Sequence, residues 1–240
     1  MTRTVLVRRF LVITALSTAL AGLVTWRVRA VPVRGTLEWP RNHEPAAARP
    51  SSGPAPFYWE ERNGILDVRP RRIDAARDFA VGLFGSGPGP AETEVALDGG
   101  DFSPTTVLVR AGTTLRIVNR DACSHELYVE GREDFTPLGT SPGNARTTQV
   151  REAGTFEIRD RLYAHVRGWV VAAADLVARG TVESSGAFAF ADVPAGSYTL
   201  RVYYRGREVA RRDVTVTDAG PVTVEPAVAV TLAGPGDSGP

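Results

Sequence analysis

Along most of the chain beyond residue 30, apolar and polar residues alternate with a period of two. Val107 and Val109, then Leu115 and Ile117, fall on one face with polar partners between them. Such alternation over four to eight residues marks a half-buried β-strand. Gly112 stands between the two runs and predicts a turn, and Leu127 with Val129 extends a further strand that begins near His125. The same pattern returns at Phe188 and Phe190, at Tyr198, Leu200 and Val202, and at Val214 and Val216. Pro194, Gly196 and Gly206 punctuate these runs as turn residues do. VPVRGTLEW from Val31, FYWEERNGILDV from Phe57 and FAVGLF from Phe79 are further predicted strands. No segment after the first thirty residues holds a helical period for four turns, so the pattern predicts an all-β protein.

The first thirty residues read differently. Arg3, Arg8 and Arg9 precede the apolar run from Phe10 to Val24, the layout of an export signal. Arg27 and Arg29 just beyond that run are unusual for cleavage, and the segment of about 17 residues from Phe10 to Trp26 lies at the lower limit for spanning a bilayer. A cleaved signal peptide and a retained membrane-anchor helix both remain open. Either implies an exported protein, periplasmic or on the outer face of the cytoplasmic membrane. The rest divides into 31–90, a β segment interrupted by a Pro/Ala/Ser-rich loop (40–56); 91–174; 175–232; and a tail, 233–240, of disordered composition. The run GSGPGP at 85–90 reads as a linker, because alternating Gly and Pro cannot open a helix as a phosphate-binding turn must. A few strands and one Pro-rich loop bury too little surface to stand alone, so 31–84 is expected to lend strands to a neighbouring sandwich.

Composition narrows the function classes. With 240 residues and 43% hydrophobic content the chain can bury a core. Every basic residue is Arg, which reads as base-composition bias. Removing the five arginines of the first thirty residues from the formal +1 leaves −4, so no basic surface for nucleic acid is implied. The single cysteine, Cys123, excludes an intramolecular disulfide and is either a small buried hydrophobe or a ligand or reactive thiol. Three scattered histidines and one cysteine give no nucleophile and base pair, and no H-E-x-x-H or G-x-S-x-G run occurs, so an enzyme is not expected.

The stretch FSPTTVLVRAGTTLRIVNRDACSHELYV, from Phe102, resembles the cupredoxin (plastocyanin-like) family in its F-x-P opening, its turn Gly and its N-x-D-x-x-x-H. The stretch AGTFEIRDRLYAHVRGWVV resembles that family's closing ligand hairpin. The resemblance places His125 at the first imidazole ligand of the copper, but puts Asp160 at the Cys position, Tyr163 at the His and Val166 at the Met. A blue-copper centre needs two imidazoles, a thiolate and a weak axial ligand, and one family ligand in four is in place. Downstream, G-x-F-x-F-x-x-V-P-x-G-x-Y-x-L-x-V resembles the carboxypeptidase regulatory-like, transthyretin-type β-sandwich over about 178–232. The order of the two is similar to that in a group of bacterial exported plastocyanin-like proteins. The resemblances imply a cupredoxin-like Greek-key sandwich over 91–174 followed by a transthyretin-like sandwich over 175–232.

Candidate chemistry centres on Cys123, His125, Asp160 and His165, a mixed S/N/O donor set suited to copper or zinc. Cys123 and His125 share a face if the strand begins early enough. The structural alternatives are an imidazole bonded to a loop carbonyl at His125, an exposed His165 beside Arg167, and an ion pair from Asp160 to Arg159, Arg161 or Arg167. Tyr163 and Val166 would then fill the metal's volume by packing. Asn119 and Asp121 read as turn residues whose side chains bond nearby backbone, and His43 has no evident partner. The leading expectation is a non-catalytic exported binding or scaffold protein of the bacterial envelope with no cofactor. The alternative is a periplasmic copper-binding or electron-transfer protein with a non-standard site around His125. The partner is an unidentified protein or envelope component, with the membrane engaged through the N-terminal segment if it is retained.

Overall fold

A computed structural model describes residues 30–40 and 73–232. The leader through residue 29, the Pro-rich loop, the strand predicted from Phe57, His43 and the tail from 233 lie outside the described residues. Within them the all-β expectation holds. One helical turn, Ala75–Asp78 (α1), and one 3-10 turn, Glu133–Phe135, stand beside seventeen strands among the described residues.

The strands, numbered along the chain, form two sandwiches of two sheets each. One sheet of the first sandwich runs β4 (Asp101–Ser103), β3 (Glu92–Asp98), β6 (Thr113–Asn119), β9 (Ala145–Val150). The facing sheet runs β5 (Thr106–Arg110), β11 (Arg167–Ala173), β10 (Gly154–Asp160), β7 (His125–Val129), β8 (Leu138–Thr140). The predicted inward faces meet between them: Val107 and Val109 pack with Leu115, Ile117, Leu127, Val129, Ile158 and Val170 in one buried cluster. Gly112 closes the β5–β6 turn at φ +87°, a left-handed conformation that a Cβ penalises. Phe102, the first residue of the F-x-P opening, is fully buried against Gly168, where an added Cβ would meet its ring at 2.6 Å. The opening motif and the closing hairpin are thereby locked together.

The second sandwich pairs β13 (Thr181–Val182), β14 (Ala187–Val193), β1 (Val31–Glu38) and β17 (Val222–Ala229) against β12 (Leu176–Arg179), β2 (Phe79–Gly85), β15 (Gly196–Tyr204) and β16 (Arg207–Val216). Its core joins Val33, Phe79 and Leu83 to Phe188, Phe190, Tyr198, Leu200 and Val202. The segment 31–90 is therefore not a unit of its own among the described residues. β1 lies between β14 and β17, and β2 pairs antiparallel with β15 from Phe79↔Tyr204 to Gly85↔Tyr198. The near-continuous apolar run of β2, buried at every residue but the last, suits an interior strand covered on both faces.

One face of β2 looks into the second core and the other into a smaller cluster of Ala80, Phe84, Leu108, Val171, Leu176 and Tyr203 that joins the sandwiches. Polar contacts surround this junction. Arg110 Nη1 donates to the carbonyls of Gly87 and Leu176, each at 3.0 Å, and the Gly206 amide donates to Thr106 Oγ1 at 3.1 Å. The Thr105 amide donates to the Arg77 carbonyl at 2.9 Å.

Candidate functional site

The site lies where β6 leaves its sheet and the chain crosses to β7. Asn119, the last residue of β6, is buried and fixes the crossing loop at both ends. Its Oδ1 accepts from the Asp121 amide at 2.9 Å, while its Nδ2 donates to the carbonyls of Cys123 and Thr140, each at 2.8 Å. Asp121 in turn accepts from the amides of Gly99 (2.5 Å) and Gly100 (3.0 Å). Both residues thus bond backbone as turn residues do. Asp121 also does more, because its Oδ2 stands 3.0 Å from His125 Nε2.

β7 starts at His125 and no earlier; residues 121–123 form a bend. Strand alternation is therefore not what brings Cys123 and His125 together. The bend held by Asn119 does so, with Cys123 Sγ 3.6 Å from His125 Nε2. Asp121, Cys123 and His125 place their three donor atoms within 4.8 Å of one another.

Across the sheet, β10 pairs with β7 so that Asp160 lies opposite Leu127. From there its carboxylate reaches His125 Nδ1 at 2.5 Å, with side-chain exposures of 0% and 1% that take this contact out of solvent. The other carboxylate oxygen accepts from the amides of Leu162 (2.7 Å) and Glu126 (3.2 Å). The alternative in which Asp160 pairs with a neighbouring arginine is not realised. Alternation turns Arg159 and Arg161 to the opposite side from Asp160; Arg159 pairs with Glu130 and Glu157, Arg161 with Glu126, and Arg167 with Glu157.

The ligand loop closes over this pair. The Tyr163 ring lies 5.3 Å from the His125 ring, and Val166 is fully buried in the first core. The Tyr163 hydroxyl is pushed above its ordinary pKa, chiefly by its hydrogen bond with Cys123, then by burial and by the charges of Asp160 and Asp121. His165 is exposed at the rim, its ring 6.2 Å from that of Tyr163, and its Nε2 lies over Gly100, whose amide holds Asp121. Of the four candidate residues, Cys123, His125 and Asp160 meet around one imidazole, while His165 stays outside that contact. Asp121 is the residue the sequence reading left out of the site. Its signal was the spacing D-x-C-x-H, which gathers three donor types within five residues.

Comparison with known proteins adds two facts. Residues 179–224, which run from the end of β12 into β17, match the family model described as polysaccharide lyase family 4, domain II. The chain is also similar to cupredoxins of known structure. Amicyanin from Paracoccus versutus is 17% identical over 38% of this chain and 96% of its own, with a TM-score of 0.31. A purple cupredoxin from Nitrosopumilus maritimus is 16% identical over 34% of this chain and 99% of its own, with a TM-score of 0.32.

A blue-copper centre joins copper to two imidazoles and a thiolate in a trigonal arrangement; the group bonded to His125 Nδ1 here is the Asp160 carboxylate. The one described cysteine sits at the other ring edge, beside Nε2. Tyr163 and Val166 supply a ring and an aliphatic group where the resemblance implies imidazole and thioether.

Proposed function

We propose that the protein is a non-catalytic, exported binding or scaffold component of the bacterial envelope, built from a cupredoxin-type sandwich without blue copper and a carboxypeptidase regulatory-like accessory sandwich. The observation that carries this reading is the buried contact between Asp160 and His125 Nδ1 at 2.5 Å. The carboxylate takes the place that the resemblance gives to the cysteine sulfur. Two amide bonds to its second oxygen and a hydrogen bond to the imidazole satisfy it without any metal, as a buried charge requires. An electron carrier needs the opposite: a redox-active ion held by soft donors at that point. The packing of Tyr163 and Val166 over the pair supports a structural role for this end of the sandwich.

Voltammetry together with visible absorption after copper loading tests the reading. The expected result is no reversible one-electron copper couple in the wild type. A reversible couple accompanied by an intense blue band, both lost in Cys123→Ser, overturns the reading and makes the protein a copper electron carrier.

A further inference from the structure

The imidazole of His125 has two edges, and only one is closed by Asp160. We propose that the other edge binds a zinc-class divalent cation through His125 Nε2, Cys123 Sγ and Asp121 Oδ2, with solvent as the fourth ligand. This inference goes beyond the proposed function and rests on it in one respect: Asp160 stays on Nδ1.

The donor spacing fits before any ligand moves far. With zinc–nitrogen and zinc–sulfur bonds of about 2.05 and 2.3 Å, tetrahedral angles separate N from S by about 3.6 Å, and N from a carboxylate O by about 3.3 Å. The structure holds Sγ 3.6 Å and Oδ2 3.0 Å from Nε2, with all three atoms within 4.8 Å of one another. The donor types select the metal class: imidazole and thiolate suit a borderline cation, whereas calcium and magnesium take oxygen.

A second observation, independent of the three donors, points the same way. A metal-ligating histidine usually donates its other ring N–H to a carboxylate, which fixes the tautomer and the ring orientation. Asp160 makes that bond at 2.5 Å, is itself held by two backbone amides, and comes from a different strand than any of the ligands. Asp121 is braced by the amides of Gly99 and Gly100, and the carbonyl of Cys123 is held by Asn119. The site is thus set in position by the fold, while Asp121 and Cys123 are only half-buried and leave a way in from solvent. Binding releases the thiol proton of Cys123, and any proton on Nε2, to the solvent.

The test is a Zn2+ titration of the reduced, full-length chain in competition with a chromogenic zinc chelator. One equivalent is expected to bind. Cys123→Ser and Asp121→Asn, both at half-buried positions, should each weaken binding at least tenfold. Asp160→Asn should weaken it about 10–100-fold although it removes no ligand. Co2+ in place of Zn2+ should give a thiolate charge-transfer band that Cys123→Ser abolishes, with circular dichroism recording that each variant is folded. Absence of stoichiometric uptake, or uptake that neither Cys123→Ser nor Asp121→Asn changes, overturns the site. Failure is separable from that of the proposed function: a reversible one-electron copper couple overturns the latter, whereas a protein without that couple that takes up no zinc overturns this site alone.

Discussion

The two sandwiches share an architecture and differ in what they bury. In the second, from Val33 through Phe190 to Val228, the buried residues among those described are hydrophobic apart from Asp78 on α1 at the edge of that core. In the first, Thr93, Asn119, His125, Thr140, Arg146 and Asp160 are buried among the strands and loops beside the apolar core. Arg146 shows what that requires. Its guanidinium lies 3.7 Å over the Phe135 ring and donates to the carbonyls of Leu127 and Thr136, and burial pushes its pKa below the ordinary value. A buried polar group costs free energy unless it is bonded, so a core of this kind specifies one arrangement and no near neighbour of it. The second sandwich is stabilised by area removed from water, which is non-directional. The first adds a directional network, and the candidate site is part of that network.

The largest expected effects break the two cores by opposite means. Phe190→Ala in the second sandwich should cost about 3–5 kcal/mol through lost transfer energy and a cavity, measured by denaturant unfolding. Asp160→Ala should cost a similar amount, about 3–5 kcal/mol, because it leaves the His125 ring nitrogen and two amides without their acceptor. The repairs should differ. Phe190→Leu should recover most of the loss, since volume is what matters there. Asp160→Leu should recover little, since shape without an acceptor leaves the buried donors unpaired. Equal recovery by both apolar replacements would erase the distinction between the cores.

An intermediate effect sharpens it. Asn119→Ala removes three hydrogen bonds that hold the crossing loop and should cost about 1–3 kcal/mol. Amide hydrogen exchange should quicken at Asp121 and not in β14 or β15. A uniform rise in exchange across both sandwiches would show that the loop network and the second core open as one unit.

The smallest effect concerns a pair at the surface. Asp134 is held below the ordinary carboxylate range, first by its hydrogen bond to Arg132, and both side chains are substantially exposed. A lowered folded-state pKa means that the contribution is present above the unfolded value and is lost as pH falls through the folded one. Asp134→Asn should therefore cost under about 1 kcal/mol at neutral pH and nothing in acid. Unfolding curves at the two pH values check both the size and the sign.

Some of this was legible along the chain and some was not. The alternation of Val107, Val109, Leu115 and Ile117 placed all four inside, as did that of Phe188, Phe190, Tyr198, Leu200 and Val202. The motif around Asn119 located His125 and its loop. The same motif read Asp121 as a turn residue, which it is, and gave no sign that its second oxygen faces the imidazole. Asp160 was a candidate, yet its neighbours in sequence suggested arginine partners, while its partner in space lies thirty-five residues away.

The sequence by itself determined that the alternating runs within 107–117 and 188–202 are strands and which face of each is apolar, because the period of a strand is a local property that burial then enforces. It also determined which donors exist: one cysteine, no lysine and an aspartate where the resemblance implies a thiolate. Only the tertiary structure decided where those donors point. The register of β10 on β7 turns Asp160 onto His125, and the bend held by Asn119 brings Cys123 and Asp121 to the opposite edge of the ring. The same holds for β1 and β2, whose alternation shows that they need a partner but not which one. Pairing between distant strands is settled by the fit of whole faces and by hydrogen bonds across the sheet, and neither is written in any one segment.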